Sequence, residues 1–290
     1  MNEDYLKGIV FSEEILFTND LKELFSVQPD ILIFAVPSQF YRDTVKKVAG
    51  LTGNVKAIVN LTKGLEEGTL KRMSEILQEE LTNTNQDKIC TLSGPSHAEE
   101  VANGIPTVVV VAGNHINVLK YVQDEFSTDR FRVYTSNDII GVEIGAAVKN
   151  IIAIAAGVID GLGFGDNTKG ALLTRALVEI KRLGIALNAN EDTFSGLSGL
   201  GDLITTAISK HSRNRYVGYY LGKGKKIDEI TKDMVMVAEG ITTTKNIRQL
   251  KEKLNISMPI TEEMYQLIFN GKAPIDALRS LMDRELKDER

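Results

Sequence analysis

Short apolar runs alternate with amphipathic stretches through the first half of the chain. Ile31-Leu32-Ile33-Phe34-Ala35-Val36 is rich in strand formers and is bracketed by Pro29-Asp30 and Pro37-Ser38. Residues 57–61, 89–92, 107–111 and 131–134 repeat that pattern. Between the runs, 69–81 and 116–126 carry apolar residues at helical spacing. Strands that are apolar throughout must be covered on both faces, so a mostly parallel α/β sheet is expected. The pattern changes after Ser136. Residues 138–159 read as one long apolar helix and 168–187 as a second, with further helices and no strand beyond. The polar turn Thr135-Ser136-Asn137 marks the boundary, which divides the chain into 1–136 (α/β) and 137–290 (all-α).

Composition narrows the function classes. The chain has 290 residues, is 43% hydrophobic and has a net charge of −5, so a general nucleic-acid surface is not expected. A single cysteine, Cys90, excludes an internal disulfide framework. The three histidines, His97, His115 and His211, lack the spacing of a zinc site, and no metal is expected. The N-terminus is acidic, without a signal-peptide core, which fits a cytoplasmic setting. Read through Lys149, the apolar stretch 144–159 is too short to span a bilayer.

Three segments follow predicted strands, at the sheet edge where parallel sheets bind ligands. They are Val36-Pro37-Ser38-Gln39-Phe40, Thr62-Lys63-Gly64 and Ser93-Gly94-Pro95-Ser96-His97. Each also reads as a tight strand-to-helix turn, and Ser96 with Glu99 forms a capping box that would start a helix. Lys63 either points into the cleft or lies solvated. Lys149 is the most informative single residue, because it is the only charge between Glu143 and Asp160. A lysine on a dry helix loses solvation, its pKa falls, and it can exchange a proton near neutral pH. The bland reading is a stem that snorkels to water.

Gly161-Leu162-Gly163-Phe164-Gly165-Asp166-Asn167-Thr168 joins two helices, so it reads as a structural turn with Asp166, Asn167 or Thr168 as N-cap. Asp202, in an apolar setting, would hold a lysine or a substrate hydroxyl. Ser212-Arg213-Asn214-Arg215 offers a hydroxyl, a guanidinium and an amide at a helix start, which is a phosphate cradle or a capped basic patch. Val237-Ala238-Glu239-Gly240 reads as a helix end closed by Gly240.

In order, these blocks resemble the bacterial-type NAD(P)-dependent glycerol-3-phosphate dehydrogenase family over nearly the whole chain. They run from Tyr5-Leu6-Lys7-Gly8-Ile9 through AVPSQ, NLTKG, SGPSHAEEV and GAAVKN to GLGFGDNTKGAL, GLGDLITT, SRNR and VAEG. The resemblance implies an oxidoreductase that interconverts dihydroxyacetone phosphate and sn-glycerol 3-phosphate with NADH or NADPH. It implies a role in phospholipid biosynthesis and a cytoplasmic homodimer. It makes Lys149 the acid–base lysine, with Lys63 and Asp202 beside it. Lys63, Gly94, Ser96, Asp202, Ser212, Arg213 and Asn214 become the substrate set. Tyr5, Lys63, Ala98, Arg213, Val237 and Glu239 become cofactor contacts.

One departure matters. The family opens with a strand, a Gly-x-Gly-x-x-Gly turn and a helix, roughly one βαβ unit that has no counterpart here. The expectation is a truncated Rossmann-like sheet followed by the α domain, with NAD(P) bound weakly and little dehydrogenase activity. Two alternatives stand beside the enzyme. One is an impaired remnant serving as a phosphate-ester binding or dimerisation module. The other is a lysine-dependent hydroxyacid dehydrogenase acting on a carboxylate, because arginine binds both anions.

Overall fold

The computed structural model describes residues 6, 8–232, 234, 237–286, 288 and 289. Tyr5, expected as a cofactor contact, lies outside the described residues. All five predicted strands form: β1 (Ile31–Phe34), β2 (Ala57–Asn60), β3 (Ile89–Ser93), β4 (Thr107–Gly113) and β5 (Phe131–Ser136). They make one sheet in the order β1-β2-β3-β4-β5. β1/β2, β2/β3 and β4/β5 are parallel, and β3/β4 is antiparallel. Residues 94–106, which include one five-residue helix, join the two antiparallel strands.

The strands are interleaved with α1 (Leu21–Ser26), α2 (Tyr41–Val48), α3 (Met73–Glu80), α4 (Ala98–Ala102) and α5 (Ile116–Phe126). Period-two alternation sends neighbouring strand residues to opposite layers. Ile58 packs with Tyr41, Val45, Ile76 and Leu77 on one face. Ala57 and Val59 pack with Leu119 and Val122 on the other.

Beyond β5 the described residues form only helices: α6 (Ile139–Leu162), α7 (Asp166–Ala186), α8 (Asp202–Ile208), α9 (Arg213–Gly222), α10 (Ile227–Lys232), α11 (Glu239–Lys253), α12 (Pro259–Phe269) and α13 (Pro274–Met282). Asp138 lies between β5 and α6. Its Oδ1 accepts from Gly141 N (2.9 Å) to cap α6, and its Oδ2 accepts from Asn190 N (2.9 Å) and Thr193 Oγ1 (2.7 Å).

α6 is the axis of the helical half and is buried over almost all of its length. At 24 residues it is long and apolar enough to cross a membrane, which corrects the length expected from the sequence. Its 18-residue apolar window is 94% buried inside the protein, so protein rather than lipid surrounds it. Close approach there rests on glycine. Gly157 and Gly161 of α6 face Gly218 and Gly222 of α9, where an added Cβ would collide with main-chain atoms of the opposite helix.

Three local expectations are corrected. Ser96 does not cap α4: its hydroxyl donates to Gly94 O (3.1 Å), and His97 is the N-cap residue. Gly165, rather than Asp166, Asn167 or Thr168, occupies the N-cap of α7. Gly240 closes no helix; it lies in the first turn of α11, against Asn150 and Asn214.

Candidate active site

Three elements, α6, α8 and the turn after β2, converge on one carboxylate. Asp202 opens α8 after a π-helical turn at Leu197–Gly201 and is 2% exposed. Its Oδ1 accepts from Lys149 Nζ at 2.5 Å and its Oδ2 from Lys63 Nζ at 2.9 Å. Lys149 Nζ also donates to Thr206 Oγ1 (2.7 Å), whose hydroxyl donates onward to Asp202 Oδ1 (3.2 Å). Thr206 lies one turn after Asp202, so both present the same face of α8. The sequence reading did not single it out, although the i, i+4 spacing from Asp202 was the available signal.

Burial decides the electrostatics. Lys149 is 5% exposed, which excludes the snorkelling stem. Desolvation pulls its amine down from the usual lysine range to about 7; Asp202 opposes that fall and Lys63 adds to it. Desolvation would raise the Asp202 carboxyl, but the Lys149 and Lys63 charges and hydrogen bonds outweigh it and leave it lowered. The result is an anion clamped between two amines, one buried and one partly open to solvent.

The backbone explains Lys63. Asn60 closes the turn after β2, with Thr62 N donating to Asn60 Oδ1 (2.9 Å) and Thr62 Oγ1 donating to Val36 O (2.6 Å). Gly64 follows at φ 137°, a conformation L side chains rarely adopt, with Ser38 packed against it. Gly94 is held at φ 144° against the backbone of Val109.

The remaining predicted residues are placed as follows. Ser212 is the N-cap of α9 and accepts from Arg215 N (3.2 Å), the capping role that its sequence also allowed. Arg213 is exposed and donates to Val237 O (3.2 Å). Asn214 is buried, its Oδ1 taken by Gly240 N (2.9 Å). Glu239 reaches back to the first strand-end turn, accepting from Ser38 Oγ (2.6 Å) and Ser38 N (3.2 Å). Ala98 is exposed at the start of α4. Lys63, Lys149 and Asp202 are thus in direct contact. Arg213, Asn214, Val237 and Glu239 form a second set, tied to one another and to Ser38 through the start of α11.

Among the described residues no group of three His, Cys, Asp or Glu side chains is arranged to hold a metal. For a dinucleotide the donor set fits. Lys63 and Arg213 supply cations in an acidic chain, and the turns after β1, β2 and β3 supply main-chain groups at the sheet edge.

Comparison with known proteins adds to this geometry. Residues 138–279 match the model described as NAD-dependent glycerol-3-phosphate dehydrogenase C-terminus, and residues 1–119 match its N-terminus counterpart. The chain is 49% identical over 288 residues to the glycerol-3-phosphate dehydrogenase [NAD(P)+] of Carboxydothermus hydrogenoformans, covering 99% of this chain and 85% of that one. It is 46% identical over 288 residues to the enzyme of that name from Prosthecochloris aestuarii, covering 99% and 86%. The crystal structure of glycerol-3-phosphate dehydrogenase from Coxiella burnetii superposes with a TM-score of 0.91 at 35% identity, over 98% of this chain and 86% of that chain.

Proposed function

The chain belongs to the NAD-dependent glycerol-3-phosphate dehydrogenase family, and from that premise we propose that Lys149 is the proton donor and acceptor of an NAD(P)-dependent interconversion of dihydroxyacetone phosphate and sn-glycerol 3-phosphate. The observation that carries this assignment is the buried Lys149 ammonium, held on Asp202 and Thr206 with its pKa lowered to about 7.

The nicotinamide, when bound, supplies the hydride for reduction and accepts it in oxidation. Lys63, Ala98, Arg213, Val237 and Glu239 are the residues that would hold it. As negative charge develops on the substrate's carbonyl oxygen, the Lys149 ammonium stabilises that oxygen and gives it a proton. Asp202 fixes the direction of the Lys149 and Lys63 amines and offsets one of their charges. Thr206 holds the amine between turnovers. Arg213, Asn214 and the start of α9 at Ser212 take the phosphate, so binding energy far from the carbon centre orients the carbonyl. Gly94 and Ser96 line the substrate side of the β3–α4 turn. Also proposed are the division of labour between residues 1–136 and 137–290 and a cytoplasmic homodimer as the working unit.

Replacing Lys149 with Met removes the donor while keeping much of the stem. The expected result is a loss of kcat on the order of 10²–10⁴-fold with substrate binding largely kept, measured by NADPH oxidation in the presence of dihydroxyacetone phosphate. Wild-type turnover by Lys149→Met would overturn the assignment.

A further inference from the structure

Two histidines far apart in sequence meet beside the Lys149–Asp202 pair. His97 ends the turn between β3 and α4, and His211 immediately precedes the Ser212 cap of α9; their ring centroids are 6.1 Å apart. His97 is half-buried, and its Nε2 is shut off from solvent without a hydrogen-bond partner. Ser93 Oγ, at the other end of the same turn, is also buried and unpartnered. The turn carrying Gly94 and Ser96 is therefore flanked by two unfilled polar atoms. Such atoms are uncommon and costly, and a ligand that completes them is one way they persist.

The charges facing His97 come from three helices: Lys149 of α6, Asp202 of α8, and Glu99 and Glu100 of α4. Glu99 also lies 3.9 Å from His211 Nδ1. Burial, followed by the Lys149 charge, holds the imidazole below the usual histidine range against the pull of the carboxylates. A neutral ring carries one donor and one acceptor nitrogen. Lys149 has a matching vacancy. Its ammonium has three N–H groups, and among the described residues its hydrogen bonds go to Asp202 and Thr206.

We propose that His97 is a specificity-determining residue of the substrate site: its Nε2 hydrogen-bonds the free hydroxyl of a phosphorylated α-hydroxyketone whose carbonyl oxygen takes the third N–H of Lys149. This rests on the assignment of Lys149 above. The two oxygens sit on adjacent carbons, so one small ligand spans both groups, and its phosphate lies at the other end, toward Arg213 and Asn214. A side-chain rotation of the half-buried ring brings Nε2 to the ligand. His211 backs the ring from the helical half.

The test compares dihydroxyacetone phosphate with hydroxyacetone phosphate, the same ketone without the free hydroxyl. Both are titrated calorimetrically and assayed for kcat/KM with the wild-type chain, His97→Phe and His97→Asn. The wild type is expected to prefer the hydroxylated ketone. His97→Phe is expected to lose that preference by roughly tenfold, with hydroxyacetone phosphate handled as by the wild type. His97→Asn, which keeps a hydrogen-bonding group, is expected to retain part of it and to carry the comparison should the Phe variant fail to fold. Absence of a preference in the wild type, or equal changes for both ketones in both variants, would overturn the proposal. Failure of the Lys149 assignment reads differently: Lys149→Met then turns over at the wild-type rate whatever the His97 variants do.

Discussion

Asp202 gives one oxygen to each of two lysines, and the chemistry depends on that division. The pH dependence has a definite sign. Reduction needs the Lys149 ammonium, so its rate should fall as pH rises through about 7; oxidation needs the free amine and should rise over the same window. The Asp202 charge raises the Lys149 amine and the Lys63 charge lowers it. Asp202→Asn should therefore move the reductive fall to lower pH, and Lys63→Met should move it to higher pH, each by about one on the pH scale or more. Profiles of kcat/KM against pH for the three proteins check this. If both variants move the limb in the same direction, Asp202 and Lys63 do not set the charge of Lys149. Lys149 itself was legible as the lone charge on a dry helix. Thr206 and the meeting of His97 with His211 were not, because no local pattern marks which side chains converge.

At the scale of elements, the glycine seam between α6 and α9 brings two helix backbones into close contact. A Cβ on Gly218 would strike Ile154 O, and one on Gly157 would strike Arg215 O. Gly218→Ala should therefore cost about 1–3 kcal/mol or more, because backbone cannot yield as a flexible side chain can. Gly170→Ala is the control: at an exposed position of α7, with nothing within 4 Å, it should gain about 0.5–1 kcal/mol. Denaturant melts of the two variants should shift in opposite directions, and equal shifts would show that the seam tolerates a methyl group. Gly240 has the sequence pattern of a helix terminator, yet it lies in the first turn of α11, where Asn150 and Asn214 leave no room for a side chain.

For the molecule as a whole, Glu143 joins the two halves. It lies on α6, buried, and accepts from Ser74 N (2.9 Å), Ser74 Oγ (2.6 Å), Arg72 Nη1 (2.7 Å) and Thr91 Oγ1 (3.2 Å). All four donors belong to the sheet half, so the helix that carries Lys149 is anchored where β2 and β3 deliver Lys63 and Gly94. Glu143→Ala strands these donors in a dry interface and should cost about 3 kcal/mol or more of stability. It should also lower kcat, because α6 loses its register against Lys63. Guanidinium unfolding together with steady-state rates tests this, and a loss below about 1 kcal/mol would remove the anchoring role. The order of strands and helices, the change of class near Ser136 and the dry lysine were all determined by the sequence alone. Each is a one-dimensional signal: a repeat of two, a repeat of 3.6, or one charge among apolar neighbours. The antiparallel β3/β4 pair, the 53-residue span closed between Lys149 and Asp202, and the contact of Glu239 with Ser38 were decided only by tertiary structure. Strand pairing, helix approach and the search of buried polar atoms for partners act between segments that no local window contains.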